Sequence, residues 1–156
     1  LLNVNEIAHH GRMAVMVMGT NDMAKELRAT ISIDRAALVP YLAMCLLSAR
    51  DAGIAILDGV YNDIKDEVGF ESVSKQGAQM GFDGKTLIHP SQVERANQIF
   101  APSVDELEYH TRVIKEFEMA QSDGRGVLTV DGKMIENLHV DEARRAIAMA
   151  EAINSI

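Results

Sequence analysis

Apolar residues fall into short runs that stop abruptly at polar or glycine-containing turns. Met13-Ala14-Val15-Met16-Val17-Met18 ends at Gly19-Thr20-Asn21-Asp22, Ile54-Ala55-Ile56-Leu57 ends at Asp58-Gly59, and Thr86-Leu87-Ile88 ends at His89-Pro90. A short run that is apolar on both faces suits a parallel strand covered by helices on each side. Between the runs the pattern turns helical. Asp34 is placed to cap a helix carrying Ala36 to Ala49, with Pro40 either kinking it or marking its true start. Phe70 to Met80 reads as a helix ending near Gly81, and Ser91 as the cap of a helix from Val93 to about Phe100. The strand starts lie roughly 30 to 40 residues apart, as successive βα units require.

Past Phe100 the pattern changes. Ser103, with Glu106 three residues on, forms a capping box for a helix to about Met119. Gly124 and Gly126 make the next segment a turning link, and Val127 to Val130 followed by Asp131-Gly132 reads as a short hairpin. Val140, Ala143, Ile147, Ala150 and Ile153 trace one apolar face of a last helix. The expected organisation is α/β, with βα units over residues 1–101 and an extension of hairpin and helix over 102–156.

Composition narrows the class. The chain has 156 residues, 47% hydrophobic and 24% charged, the balance of a soluble globular domain. Its 15 basic and 23 acidic side chains give a net charge of −8, which argues against a nucleic-acid partner. No apolar run approaches the ~20 residues of a membrane span, so no membrane partner is expected. Leu1 to Glu6 lack the basic and apolar regions of a secretory signal. Cys45, the only cysteine, lies in the apolar run Leu42 to Leu47 and has no partner within the chain. A reduced, cytoplasmic setting is the natural expectation. Met13, Met16, Met18 and Met23 read as core filling, and His9 and His10 as surface residues.

In βα folds the chemistry sits at the carboxyl ends of the strands. Asp22, beside a glycine that lets a ligand approach the backbone, suits Mg²⁺ coordination. It equally suits capping the helix that contains Ala24 to Leu27, and the two roles are compatible. Asp58 reads as a ligand-facing carboxylate or as a turn residue before Gly59. His89 reads as a site residue or as a structural histidine bonded to backbone. No HExxH, P-loop, GxSxG or paired CxxC is present. The residues alone describe a metal-competent α/β half-site.

Four blocks go further: Met18 to Leu27, Leu57 to Asp63, Gly81 to Gln92 and Asp131 to Glu136. In this order they closely resemble the citrate lyase β-subunit-like branch of the HpcH/HpaI aldolase family, which includes citryl-, malyl-, methylmalyl- and citramalyl-CoA lyases. The resemblance implies a TIM barrel with a C-terminal helical extension, assembled as a trimer or hexamer, using Mg²⁺ to cleave or form a carbon–carbon bond. Against the ~250 residues of a typical barrel, this chain would cover about strands six to eight. Asp22 matches the metal-binding Asp of the sixth strand. The companion Glu, the first five strands and a substrate-binding arginine would all precede Leu1. Glu136 falls where a neighbouring subunit delivers an acid/base carboxylate, a position at which some relatives carry Asp. Gly19, Thr20, Asn21, Asp58, Tyr61, His89 and Pro90 fall where the pocket for acyl-CoA and a small oxo or hydroxy acid is lined. Two alternatives share the scaffold: an acyl-CoA thioesterase, and a non-catalytic barrel fragment or assembly subunit.

Overall fold

Each apolar run is followed by enough chain to return to the same end of a sheet, and three parallel strands result. In the computed structural model, which describes residues 1–123 and 128–155, β1 (Val15–Val17), β2 (Ala55–Asp58) and β3 (Gly84–Lys85) pair in that order. Val15 lies opposite Ala55, and Leu57 opposite Gly84. The helices are α1 (Val4–Ala8), α2 (Thr20–Leu27), α3 (Val39–Asp51), α4 (Glu67–Met80) and α5 (Val93–Phe100). Together they form a first compact unit, Leu1–Phe100. Its core gathers Met18, Leu38, Leu42, Cys45, Ala49, Ile56 and Phe82, with Met16 and Met23 packed at its edge. Burial pushes the Cys45 thiol above its ordinary value, which suppresses the reactive thiolate.

Several local expectations are corrected. β1 is shorter than the apolar run, and Val15 and Val17 are 42% and 55% exposed rather than covered on both faces. β1 is the edge of the sheet, so its outer side has no neighbouring strand within the unit. Thr86 to Ile88 is not the third strand. The ladder runs through Gly84 and Lys85, and the Thr86 N–H and Oγ1 then both donate to the Asp58 carbonyl. Asp34 does not cap α3. Its carboxylate accepts from Ser32 Oγ (2.5 Å) and Ala36 N–H (3.1 Å) in a local turn, and α3 starts at Val39 with Pro40 in its first turn. There the missing N–H removes no helical bond. Asp66, not a residue near Phe70, opens α4 by accepting from Gly69 N–H (2.9 Å). Ser91, expected to cap the helix from Val93, lies instead inside a 3₁₀ turn, Pro90–Gln92, that leads into α5 and is capped by His89.

The second unit begins at Ala101. It contains α6 (Val104–Ser122), the hairpin β4 (Leu128–Val130) and β5 (Lys133–Ile135), and α7 (Asn137–Asn154). Ser103 and Glu106 form the capping box of α6. Asp131 and Gly132, at φ 50° and 78°, turn the hairpin, the double left-handed conformation of a two-residue loop. The link expected at Gly124 and Gly126 lies outside the described residues, as does Val127. Val113, Ala120, Leu128, Val130, Ile135, Val140 and Ala143 form the core of this unit. Along the predicted apolar face of α7, Val140 and Ala143 are buried, Ile147 and Ala150 half-buried, and Ile153 exposed. Among the described residues, no helix is long and apolar enough to cross a membrane.

Candidate functional site

The loops after β1 and β2 come together because Gly59 lacks a side chain. A Cβ at Gly59 would stand 2.7 Å from the Met18 carbonyl oxygen and would also collide with the buried Thr20 side chain. With that approach allowed, Asn21 and Asn62 exchange two amide hydrogen bonds. Asn21 Nδ2 donates to Asn62 Oδ1 (3.1 Å), and Asn62 Nδ2 donates to Asn21 Oδ1 (2.8 Å). A cleft of about 400 Å³ opens beside the pair. Two segments line it as walls, one carrying Ile31, Ile33, Arg35 and Leu38 and another carrying Val60, Tyr61, Asn62 and Asp66.

Asp22 stands next to this pair in the first turn of α2. Gly19 is the N-cap of that helix and no side chain caps it, which removes the capping role foreseen for Asp22. Its carboxylate is exposed and has no hydrogen bond or ion pair among the described residues. The negative charge suits the positive end of the α2 dipole. A free carboxylate in the first turn of a helix that follows a strand is a fitting hard ligand for Mg²⁺, which is commonly held by one or two carboxylates, waters and substrate oxygens. Among the described residues, no group of three or more His, Cys, Asp or Glu could enclose a metal ion. Asp22 therefore fits Mg²⁺ as one ligand of a partly open site.

Tyr61 reaches the cleft wall with its hydroxyl already committed. It donates to Asp66 Oδ2 at 2.5 Å, which pushes the phenol up to about 12 and holds the Asp66 carboxyl below its ordinary range. Tyr61 thus keeps its proton and shapes the wall. Gln92 fixes the loop from behind, its Nε2 donating to the Tyr61 carbonyl (3.2 Å) while its Oε1 accepts from Ile88 N–H (3.1 Å).

Asp58 requires a correction. It is fully buried and does not line the cleft. Arg35 Nη1 donates to both of its oxygens (2.7 and 2.8 Å), Lys85 Nζ to Oδ2 (3.0 Å) and Gly59 N–H to Oδ1 (2.8 Å). Every carboxylate oxygen is already taken by donors from the chain. The Lys85 side chain is fully buried as well; burial pulls its ammonium below the ordinary lysine value, with Asp58 opposing that shift. His89 and Pro90 also stand outside this cleft. His89 Nδ1 accepts from Ser91 N–H (3.2 Å) and lies 2.8 Å from Ser91 Oγ, the structural role for that histidine. In the second unit, Glu136 is exposed at the N-cap of α7, directly after β5, and its N–H donates to His139 Nδ1 (3.0 Å). Another cavity, of about 240 Å³ between α4 and α5, contains none of the residues foreseen for the site.

Gly19, Thr20, Asn21, Asp22 and Tyr61 are thus brought to one region of the first unit. Sequence reasoning missed Arg35, Asn62, Asp66, Lys85 and Gln92. Asp66 carried a usable signal, an Asp three residues before Gly69 at the start of a helical pattern. Asn62 and Lys85 lie inside blocks already singled out, but nothing local separates a buried lysine from a surface one. Arg35 carried no signal, since neither its burial nor its φ of 52° can be read from its neighbours.

Comparison with known proteins identifies the family. The profile of the HpcH/HpaI aldolase/citrate lyase family matches residues 1–90. The (3S)-malyl-CoA thioesterase of Cereibacter sphaeroides (strain ATCC 17025 / ATH 2.4.3) is 54% identical over 153 residues, covering 98% of this chain and 54% of that protein. The citrate lyase subunit beta of Escherichia coli (strain K12) is 35% identical over 147 residues, covering 94% and 49%. The chain spans about half the length of the curated relatives it matches. Protein CitE from Mycobacterium tuberculosis, solved in complex with magnesium, acetoacetate and coenzyme A, superimposes with a TM-score of 0.77 at 27% identity, over 95% of this chain and 56% of that one.

Proposed function

The chain belongs to the HpcH/HpaI aldolase/citrate lyase family, and on that premise we propose that it supplies about strands six to eight and the extension of a TIM-barrel enzyme. The enzyme acts on the CoA thioester of a small hydroxy acid and breaks a carbon–carbon bond. The observation that carries the reading is the unpaired carboxylate of Asp22 in the first turn of α2, next in the chain to Asn21, whose pair with Asn62 lines the cleft. The unpaired edge of β1 supports the barrel, since such an edge calls for a neighbouring strand.

Asp22 would supply one hard oxygen ligand to Mg²⁺. Bound there, Mg²⁺ would act as a Lewis acid that draws charge from the oxygens of the hydroxy acid. Asn21 and Asn62 each use one amide N–H on the other and keep a second for the acid's carboxylate. Ile31, Ile33, Leu38 and Val60 keep water away from the reacting carbon. Glu136, reaching the site of a neighbouring copy in a trimer or hexamer, takes the proton of the substrate hydroxyl. The hydroxyl carbon becomes a carbonyl, the carbon–carbon pair passes to the carbon beside the thioester, and a proton delivered there completes the acyl-CoA product.

Hydrolysis of the thioester is a second reading, favoured by the 54% identity to (3S)-malyl-CoA thioesterase. Product analysis of (3S)-malyl-CoA incubated with the intact enzyme and Mg²⁺ separates the two. Carbon–carbon cleavage yields acetyl-CoA and glyoxylate in equal amounts; hydrolysis yields free CoA and malate. No consumption of this or a related hydroxyacyl-CoA would contradict both.

A further inference from the structure

Beside the cleft, whose lining includes Arg35, two cations share one carboxylate. Arg35 is 4% exposed and Asp58 0%, and the Lys85 side chain is fully buried. Burying three charged groups is unfavourable, and apolar groups of similar volume often hold a fold as well or better. Stability alone gives no reason for the cluster. Its geometry does.

Arg35 belongs to the segment 31–35, which has neither helix nor strand and forms one wall of the cleft. Asp58 ends β2, two residues before the lining segment that begins at Val60. Arg35 holds a left-handed backbone, φ 52°, that side-chain-bearing residues disfavour. Its guanidinium is fixed on two sides. Nη1 grips both oxygens of Asp58, and Nε donates to Gln76 Oε1 (2.7 Å), whose own Nε2 donates to the Asp34 carbonyl (2.6 Å). On the far side Lys85 donates to Asp58 and to the Gly59 carbonyl. Gly77 leaves room for the carboxylate, since a Cβ there would stand 2.7 Å from Asp58 Oδ2. One bidentate contact therefore ties the wall bearing Ile31 and Ile33 to the wall bearing Val60, Tyr61 and Asn62. Both isoleucines are exposed, at 42% and 54%, and offer an apolar surface to an aliphatic chain.

We propose that Arg35 is a positioning residue: acting through Asp58, it sets the separation of the two cleft walls and with it the affinity for the aliphatic portion of the thioester. The proposal rests on the reading of this cleft as an acyl-CoA site. Arg35→Lys in the intact enzyme keeps the charge and loses the planar fork. With (3S)-malyl-CoA as the probe, KM rises at least about tenfold while kcat changes less than about threefold. A residue that only stabilised the fold would lower Vmax with the amount of folded enzyme and leave KM where it was, and that result would overturn the proposal. Should Arg35→Lys fail to fold, Gln76→Leu loosens the same guanidinium from its outer side and raises KM about threefold; an unaltered KM there also overturns it. If the unsubstituted enzyme neither turns over nor binds the thioester, the functional reading falls and takes this one with it. Normal turnover with KM unaltered in the variants removes only the role of Arg35.

Discussion

The two units hold short elements in place with different materials. The first buries an ionic cluster, Arg35, Asp58 and Lys85, and binds its loops together through amides such as Asn21, Asn62, Gln76 and Gln92. The second closes over the apolar side chains Val113, Leu128, Val130, Ile135 and Val140, while its ion pair Arg112–Asp131 is more than half exposed. Apolar contact is non-directional and tolerates exchange among side chains of similar volume. A forked guanidinium on a carboxylate fixes angles and distances. The directional material is spent where loops must hold a cleft, and the adaptable material where a helix and hairpin need only pack.

The sharpest break in this contrast is Asp58→Ala. It strands two buried cations and costs about 3–5 kcal/mol, measured by denaturant unfolding of the intact protein; Asp131→Asn in the exposed pair costs less than about 0.5 kcal/mol. Equal losses would erase the distinction. On the proposed acid/base role of the exposed Glu136, Glu136→Gln should lower turnover about 10²-fold with acyl-CoA affinity unchanged. Mixing that variant with Asp22→Ala subunits should restore activity through hybrid oligomers. No recovery despite demonstrated subunit exchange would leave Glu136 serving its own chain's site, or none.

Smaller effects sharpen the comparison. Ser103→Ala removes a cap of α6 and costs about 1 kcal/mol without altering thioester affinity, because the capping box belongs to the unit that lacks the cleft. A change in KM would assign it more. In the first unit, hydrogen bonds from Arg95, then Lys75, bring the Glu71 carboxyl from 4.5 to about 2. The folded value lies below the unfolded one, so this stabilisation is complete above about pH 4.5 and is lost as the pH falls toward 2. Glu71→Gln should flatten the acid limb of the stability profile over that window; an NMR titration midpoint near 4.5 for Glu71 would contradict the pairing.

What the sequence disclosed and what it hid divide along the same line. The capping box of Ser103 and Glu106 and the Asp131-Gly132 hairpin are local devices, legible because their partners lie within a few residues. The βα order was legible from apolar runs, and the position of Asp22 from the turn that follows the first of them. The third strand was misplaced because Thr86 to Ile88 looks more strand-like than Gly84-Lys85, while pairing with β2 decides the matter. The burial of Asp58 was not legible because its two cations lie 23 and 27 residues away in the chain. A long-range ionic contact leaves no periodicity to detect.

The proposed role of the free Asp22 carboxylate, a metal ligand of an acyl-CoA enzyme, is open to direct test. The direct measurement is Mg²⁺-dependent turnover of (3S)-malyl-CoA by the intact enzyme and by Asp22→Ala, with circular dichroism and CoA binding recorded on both. Turnover should fall to background while fold and CoA affinity persist, since Asp22 is exposed and makes no contact among the described residues that its loss would break. Metal-dependent turnover within about tenfold of the unsubstituted enzyme would contradict the assignment.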